Sequence, residues 1–176
     1  ADNLTEAELW SSAKCANHRR QASVANMARF REDAQMSESH SSRLAALGLS
    51  LPPAPKPVAA YVPFARTGNL VFVSGQLPMK DGAMVAKGAV PSQVSLETAA
   101  AAARQAALNG IAVLADAAGG IDRIKRILRV GVFVCSDAGF VDQPKVANGA
   151  SELLQQVFGE DGRHARAAVG NIALPL

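Results

Sequence analysis

Short apolar runs rich in β-branched residues alternate along this chain with longer segments of helical period. The most informative run, Leu70 to Val73, holds consecutive apolar residues and leads into Ser74-Gly75-Gln76. Such a run before Ser-Gly is typical of a strand buried on both faces that ends in a close backbone approach. The pattern and its turn residues predict three early strands, at residues 61–65, 70–76 and 84–86.

Helical periodicity marks two long segments and one short one. A helix is predicted from Ser95 to about Ala118, because apolar residues recur at helical spacing before Gly119-Gly120. A second helix is predicted over residues 144–158, where Pro144 suits the first turn. A short helix over residues 37–47 would end at Gly48. The many alanines of the first long helix indicate close packing against a sheet.

Two further strands are predicted at residues 124–135 and 166–172, one after each long helix. The resulting order β-β-β-α-β-α-β predicts an α+β fold, with an antiparallel or mixed sheet and both helices on one face. Aromatic residues make up only 5% of the chain, too few for a second thick core on the other face. We therefore expect neighbouring subunits to cover that face in a homo-oligomer.

Composition restricts the partners. The chain is 49% hydrophobic and 19% charged, as in a globular protein, and its net charge is only +3. Its basic residues cluster only at Arg123, Lys125, Arg126 and Arg129. A solvated face explains that cluster better than a nucleic-acid patch, so nucleic-acid binding is not expected.

Cysteine usage and hydropathy predict a cytoplasmic protein. Two cysteines do not make a disulfide framework. No apolar run approaches the roughly 20 residues of a membrane helix, and no signal pattern is present. Cys15-x-x-His18 has no second pair to complete a metal site, so no metal is expected.

Residues 1–35 differ in character from the rest. They contain the only Trp, Trp10, and a capping-box pattern at Thr5 that predicts a helix from about Glu6. We interpret them as an N-terminal extension and residues 36–176 as the main domain. The closely spaced prolines at 52–57 predict an extended connector, since proline excludes helix.

Arg166 is the strongest chemical candidate. Its guanidinium presents a planar fork that matches a carboxylate, and it precedes an apolar strand. A surface arginine in a salt bridge is the alternative. A serine nucleophile at Ser74 would need His164 as its base, and no acid is placed to orient that histidine, which disfavours a hydrolase triad.

Ordered motifs carry a family resemblance. TGNLVFVSGQLP, the Ala-rich helix and a late RxAVG…LP resemble the YjgF/Rid family of reactive-intermediate deaminases. NLVFVSGQLPMKDG, QPKVANGAS and FGEDGRHARAAVG resemble the branch labelled "YjgF/chorismate-mutase-like, putative endoribonuclease". The resemblance covers about residues 36–176. It implies a chorismate-mutase-like fold in trimers with clefts between subunits.

The resemblance also implies a site. Arg166 matches the arginine that binds the carboxylate of an imino acid, and Tyr61 matches a pocket tyrosine, although Ala60 and Val62 replace the family's Pro and Ser. Arg166 and Tyr61 are the catalytic candidates. The substrate-binding candidates are Ser74, Gly75, Asn148 and Ala168. Ser151 could align in place of Asn148, and Asn148 could instead cap its helix.

The implied activity is hydrolytic deamination of small 2-imino or enamine acids to 2-keto acids and ammonia, with no cofactor. A non-catalytic small-carboxylate-binding trimer is one alternative, and an endoribonuclease or translation inhibitor is the other. In the family, a final strand after the LP motif carries a glutamate that positions the attacking water. The sequence stops at Leu174-Pro175-Leu176, so we expect either a truncated chain or the absence of that strand and its acid.

Overall fold

The structure of the protein is a computed structural model that describes residues 39–54 and 61–175. The extension predicted at 1–35 lies outside the described residues, as do Cys15, His18 and part of the proline-rich connector. The helices are α1 His40–Ala46, α2 Leu96–Ala118 and α3 Gln143–Phe158. The strands are β1 Phe64–Thr67, β2 Leu70–Val73, β3 Met79–Lys80, β4 Ala83–Met84, β5 Arg129–Cys135 and β6 Ala165–Asn171.

The strands of the described region pair in three two-stranded pieces. β1 and β2 form an antiparallel hairpin in which Phe64 lies opposite Val73, and β3 and β4 form a second, smaller hairpin. β5 and β6 are parallel, from Arg129 opposite Ala165 to Cys135 opposite Asn171. Parallel pairing follows from the connection, since α3 carries the chain back between the two strands. Mixed pairing with packed helices makes this an α+β fold, as predicted.

Several strand predictions need correction. The first two strands, predicted at 61–65 and 70–76, are β1 and β2, and β2 is not buried on both faces, since Leu70 and Phe72 are exposed. The third strand, predicted at 84–86, is the β3–β4 hairpin, and the long strand predicted from residue 124 begins only at Arg129. Before it, a 3-10 turn at Ile121–Arg123 leads into irregular chain. The reason is the spacing of the buried isoleucines in this segment, which is three residues where a strand would need two. These isoleucines are Ile121, Ile124 and Ile127, and all pack into the core.

The core lies between the helices and beneath β5. One cluster joins α2 to α3 through fully buried side chains that include Ile111, Leu153 and Phe158. A second cluster packs Val134 of β5 against Val146 of α3. These contacts hold α3 against the β5–β6 pair, so side chains on one face of α3 are directed at β6.

The short helix α1 is tied to the 3-10 turn by a carboxylate. Asp122 accepts hydrogen bonds from the Ser41 hydroxyl at 2.7 Å and from the Ser41 backbone N–H at 2.9 Å. These two bonds, the hydroxyl first, hold the pKa of Asp122 below its usual range. On the same helix, His40 Nε2 donates to the carbonyl of Ile124, and its ring meets Phe158 edge-on at 4.8 Å.

Candidate functional site

Arg166, the second residue of β6, has its guanidinium fixed on one side and open on the other. Its Nη1 donates to Asn148 Oδ1 at 2.8 Å and to Ser151 Oγ at 3.2 Å. The residue is exposed. In the part of the chain that the structure describes, no hydrogen-bond acceptor meets Nε or Nη2. That edge carries the two parallel N–H groups that a carboxylate accepts in a bidentate pair.

Asn148 and Ser151 reach Arg166 together because they lie one turn apart on α3. Residues three apart share a face of a helix, and this face is the one packed toward β6. α3 begins at Gln143 after Asp142, so Asn148 lies inside the helix and does not cap it. Asn148 and Ser151, the two residues that could align with the family's helix asparagine, therefore both accept a hydrogen bond from Nη1 of Arg166.

A histidine contacts Ser151 on the side away from the Nε–Nη2 edge of Arg166. His164, immediately before β6, places Nε2 at 3.1 Å from Ser151 Oγ and Nδ1 at 2.6 Å from the carbonyl oxygen of Gly162. A carbonyl only accepts, so Nδ1 carries a hydrogen. In the neutral ring Nε2 is then an acceptor, and Ser151 donates its hydroxyl hydrogen to it.

Sequence reasoning missed the pair of Ser151 and His164, because it considered His164 only as a base for Ser74. The two residues are separated by a helix end and the 3-10 turn Gly159–Gly162, so no regular spacing indicates their contact. The structural feature that brings them together is Gly162. This glycine is buried, and a Cβ placed on it would overlap the carbonyl oxygen of Leu154. Only glycine lets the chain return this closely to α3.

Of the other predicted site residues, Tyr61, Ser74 and Gly75 lie beside the β1–β2 hairpin, and Ala168 lies on β6 with Arg166. Tyr61 is 56% exposed just before the β1–β2 hairpin, and Ser74 Oγ donates to the carbonyl of Val62 at 2.6 Å. Gly75 has open space around it, so within the described residues no neighbour requires a glycine there. Ala168 lies on β6 opposite Val132. No hydrogen bond recorded for residues 39–54 and 61–175 joins Tyr61, Ser74 or Gly75 to Arg166.

Large apolar side chains stand in solvent on both main strand pairs. On β2 they are Leu70 and Phe72, with Phe72 62% exposed. On the parallel pair Phe133, 65% exposed, lies opposite the exposed Val169. Exposed apolar positions on sheets are typical of surfaces that bind other proteins or subunits.

Other chemistry is sparse in the described part of the chain. It contains no group of three or more His, Cys, Asp or Glu side chains that could hold a metal ion. None of its helices has the length and apolar character needed to cross a membrane. Arg163, which lies just before β6, forms an exposed ion pair with Glu160 at 3.3 Å.

The fold and this site define a class of protein. It is an α+β protein in which a strand arginine is held by a neighbouring helix on one side of its guanidinium and has no partner among the described residues on the other. The sequence profile of the family described as "YjgF/chorismate_mutase-like, putative endoribonuclease" matches residues 41–176. The chain belongs to this family.

Similar proteins span most of the chain. Protein TCP17 of Trypanosoma cruzi is 43% identical over 146 residues, and the match covers 80% of this chain and 91% of that protein. The crystal structure of Atu1372 of Agrobacterium tumefaciens, described as of unknown function, is 44% identical with a TM-score of 0.73, covering 81% of this chain and 88% of that one. A "putative endoribonuclease" of Shewanella oneidensis is 36% identical with a TM-score of 0.75, covering 78% of this chain and 91% of its own. These neighbours share the YjgF-like fold with this chain.

Proposed function

We propose that this protein is a hydrolytic deaminase of small 2-imino or enamine acids, with Arg166 as the anchor of the substrate carboxylate. The observation that carries the proposal is the state of the guanidinium. Its Nη1 is fixed by Asn148 and Ser151, while the Nε–Nη2 edge faces no acceptor among the described residues. A fixed arginine loses less freedom when a carboxylate binds, which favours affinity.

In the proposed reaction water adds to the imine carbon and the carbon–nitrogen bond then breaks. The products are ammonia and a 2-keto acid. Arg166 holds the carboxylate adjacent to that carbon. Its positive charge withdraws electron density and keeps the substrate oriented, and positioning of this kind supplies a large part of many rate enhancements. Tyr61, Ser74, Gly75 and Ala168 remain candidates for the remainder of the pocket.

We also propose that the protein is a homotrimer whose sites lie between subunits. Phe72 and Phe133 are more than half exposed in the single chain, and their burial against neighbouring subunits would remove this apolar surface from water. Tyr61 and Ser74, which flank the β1–β2 hairpin, would then come from one subunit and Arg166 from another, which would account for the absence of a hydrogen bond between them among the described residues of one chain.

Replacement of Arg166 tests the anchor. Arg166→Lys keeps the charge but loses the bidentate fork, so pyruvate, a product-like 2-keto acid, should bind more weakly by roughly 1.5–3 kcal/mol. Arg163→Lys is the matched control, because Arg163 is three residues away and pairs only with the exposed Glu160 in the described region. Equal pyruvate affinity in parent and Arg166→Lys, measured by calorimetry, would contradict the assignment.

The activity itself is tested by ammonia release from freshly generated 2-iminopropanoate, with RNA cleavage assayed beside it. Pyruvate binding without ammonia release would favour the non-catalytic carboxylate-binding trimer. RNA cleavage is the alternative suggested by the description of the Shewanella oneidensis neighbour. It would call for a basic groove with stacking aromatic residues, and the exposed cations Arg123, Lys125, Arg126 and Arg129 would be the first to test.

A further inference from the structure

We infer that His164 is a positioning residue for Arg166 and acts through the hydroxyl of Ser151. The three side chains and one carbonyl form a single directed chain of hydrogen bonds. The inference rests on the proposed function in one respect, namely that a carboxylate is the ligand of the open guanidinium edge.

The direction of the chain follows from its two ends. Arg166 is always a donor, so Ser151 Oγ accepts from Nη1. At the other end the Gly162 carbonyl is always an acceptor, so His164 Nδ1 donates to it. In the neutral imidazole Nε2 then carries no hydrogen, so the Ser151 hydroxyl donates to it, with Oγ and Nε2 3.1 Å apart. Every donor and acceptor of the chain is matched in this arrangement.

The burial of Ser151 limits the hydrogen-bond partners that its hydroxyl can have. Ser151 is only 8% exposed, so its hydroxyl has little access to water. A buried polar group needs hydrogen-bond partners in the protein, and among the described residues its side-chain partners are His164 and Arg166. When the hydroxyl donates to the imidazole, its oxygen becomes a better acceptor for the guanidinium, because consecutive hydrogen bonds polarise one another.

The same pair could be considered as a nucleophile and its base. Ser151 Oγ and His164 Nε2 are within hydrogen-bond distance, and Gly162 orients the ring as a third member would. Two observations disfavour attack by the serine. Its oxygen already accepts from Arg166, and its burial within α3 leaves little room for an acyl carbon. Orientation of Arg166 is the role that uses all the contacts.

Pyruvate binding to three variants tests the inference. Ser151→Ala and His164→Leu each break the chain and should lower pyruvate affinity about threefold to tenfold, a change on the order of one hydrogen bond. His164→Gln keeps an oxygen near the position of Nε2 that can accept from Ser151, so it should restore much of the loss. Circular dichroism would verify that each variant is folded.

Nitrogen NMR of the histidine rings supplies a readout that a merely structural residue would not move. In the parent, His164 should show hydrogen on Nδ1, and its Nε2 signal should shift when pyruvate is added, because Ser151 links that nitrogen to Arg166. Ser151→Ala should abolish the shift. His40, whose Nε2 bonds the Ile124 carbonyl, is the internal control and should not respond.

The outcomes separate this inference from the proposed function. If the parent binds pyruvate and Arg166→Lys weakens it, but Ser151→Ala and His164→Leu bind as the parent does, the positioning role is overturned and the carboxylate anchor stands. An unshifted His164 signal in the ligand-bound parent would have the same meaning. If the parent does not bind pyruvate or another 2-keto acid, both the anchor and the positioning role fail.

Discussion

Gly149 lies where α3 crosses α2, one residue after Asn148, and its replacement by alanine should destabilise the protein. A Cβ built on Gly149 would overlap the carbonyl oxygen of Ala100 and lie 2.8 Å from its carbonyl carbon. Both atoms belong to the backbone of α2. They cannot rotate away as a side chain could, so the two helices must separate.

The magnitude follows from two opposing effects. Alanine in a helix interior is favoured over glycine by about 1 kcal/mol. Insertion of a methyl group into a closely packed contact costs about 1–3 kcal/mol, and a backbone neighbour places this site in the upper part of that range. We therefore expect Gly149→Ala to lower the free energy of unfolding by about 1–2 kcal/mol, which corresponds to a Tm about 2–8 °C lower for a chain of this size.

Gly110→Ala is the matched control on α2. The nearest atom to a Cβ built on Gly110 is Gln76 Cγ, at 3.9 Å, which is ordinary contact. Only the helix preference remains there, so this variant should gain about 0.5–1 kcal/mol. Thermal and urea unfolding of both variants measures the two effects. A Gly149→Ala protein as stable as Gly110→Ala would refute the close crossing of α2 and α3. Because Asn148 and Ser151 share this helix, pyruvate affinity should fall in Gly149→Ala alone.

Three further predictions concern acid stability, assembly and the N-terminal segment. The pKa of Asp122 is lowered in the folded protein, so the stabilisation by its carboxylate is present at neutral pH and is lost as pH falls below about 4. Asp122→Asn should therefore be less stable than the parent at pH 7. In unfolding curves measured at acid pH, the two proteins should become equally stable. Light scattering at micromolar concentration should give about three subunit masses, and a stable monomer would contradict the inter-subunit site. Removal of residues 1–35 should leave the trimer, its Tm and pyruvate binding nearly unchanged, whereas aggregation of the shortened chain would show that the segment belongs to the fold.

Much of the fold was predictable because it depends on local pattern. The long helices were placed within about a residue, since Ser95 and Gly119 mark the ends of α2 and Pro144 marks the start of α3. The parallel pairing of β5 and β6 was not fixed, because either direction buries the same apolar residues. The strand predicted from residue 124 begins later for a physical reason: Ile121, Ile124 and Ile127 are three residues apart, so all three reach the core, whereas a strand would direct alternate residues to opposite faces.

In the site, too, one part could be predicted from local sequence and another part depended on tertiary contacts. Arg166 could be selected from sequence because a guanidinium before an apolar strand carries its chemistry with it. Its partners could not, because the contact of Ser151 with His164 depends on how closely the chain turns back after α3. That distance is set at Gly162, which allows the backbone to touch Leu154 and whose own carbonyl orients the imidazole. A residue without a side chain thus fixes the return of the strand and orients the histidine that contacts Ser151, while Asn148 and Ser151 hold Arg166 directly from α3.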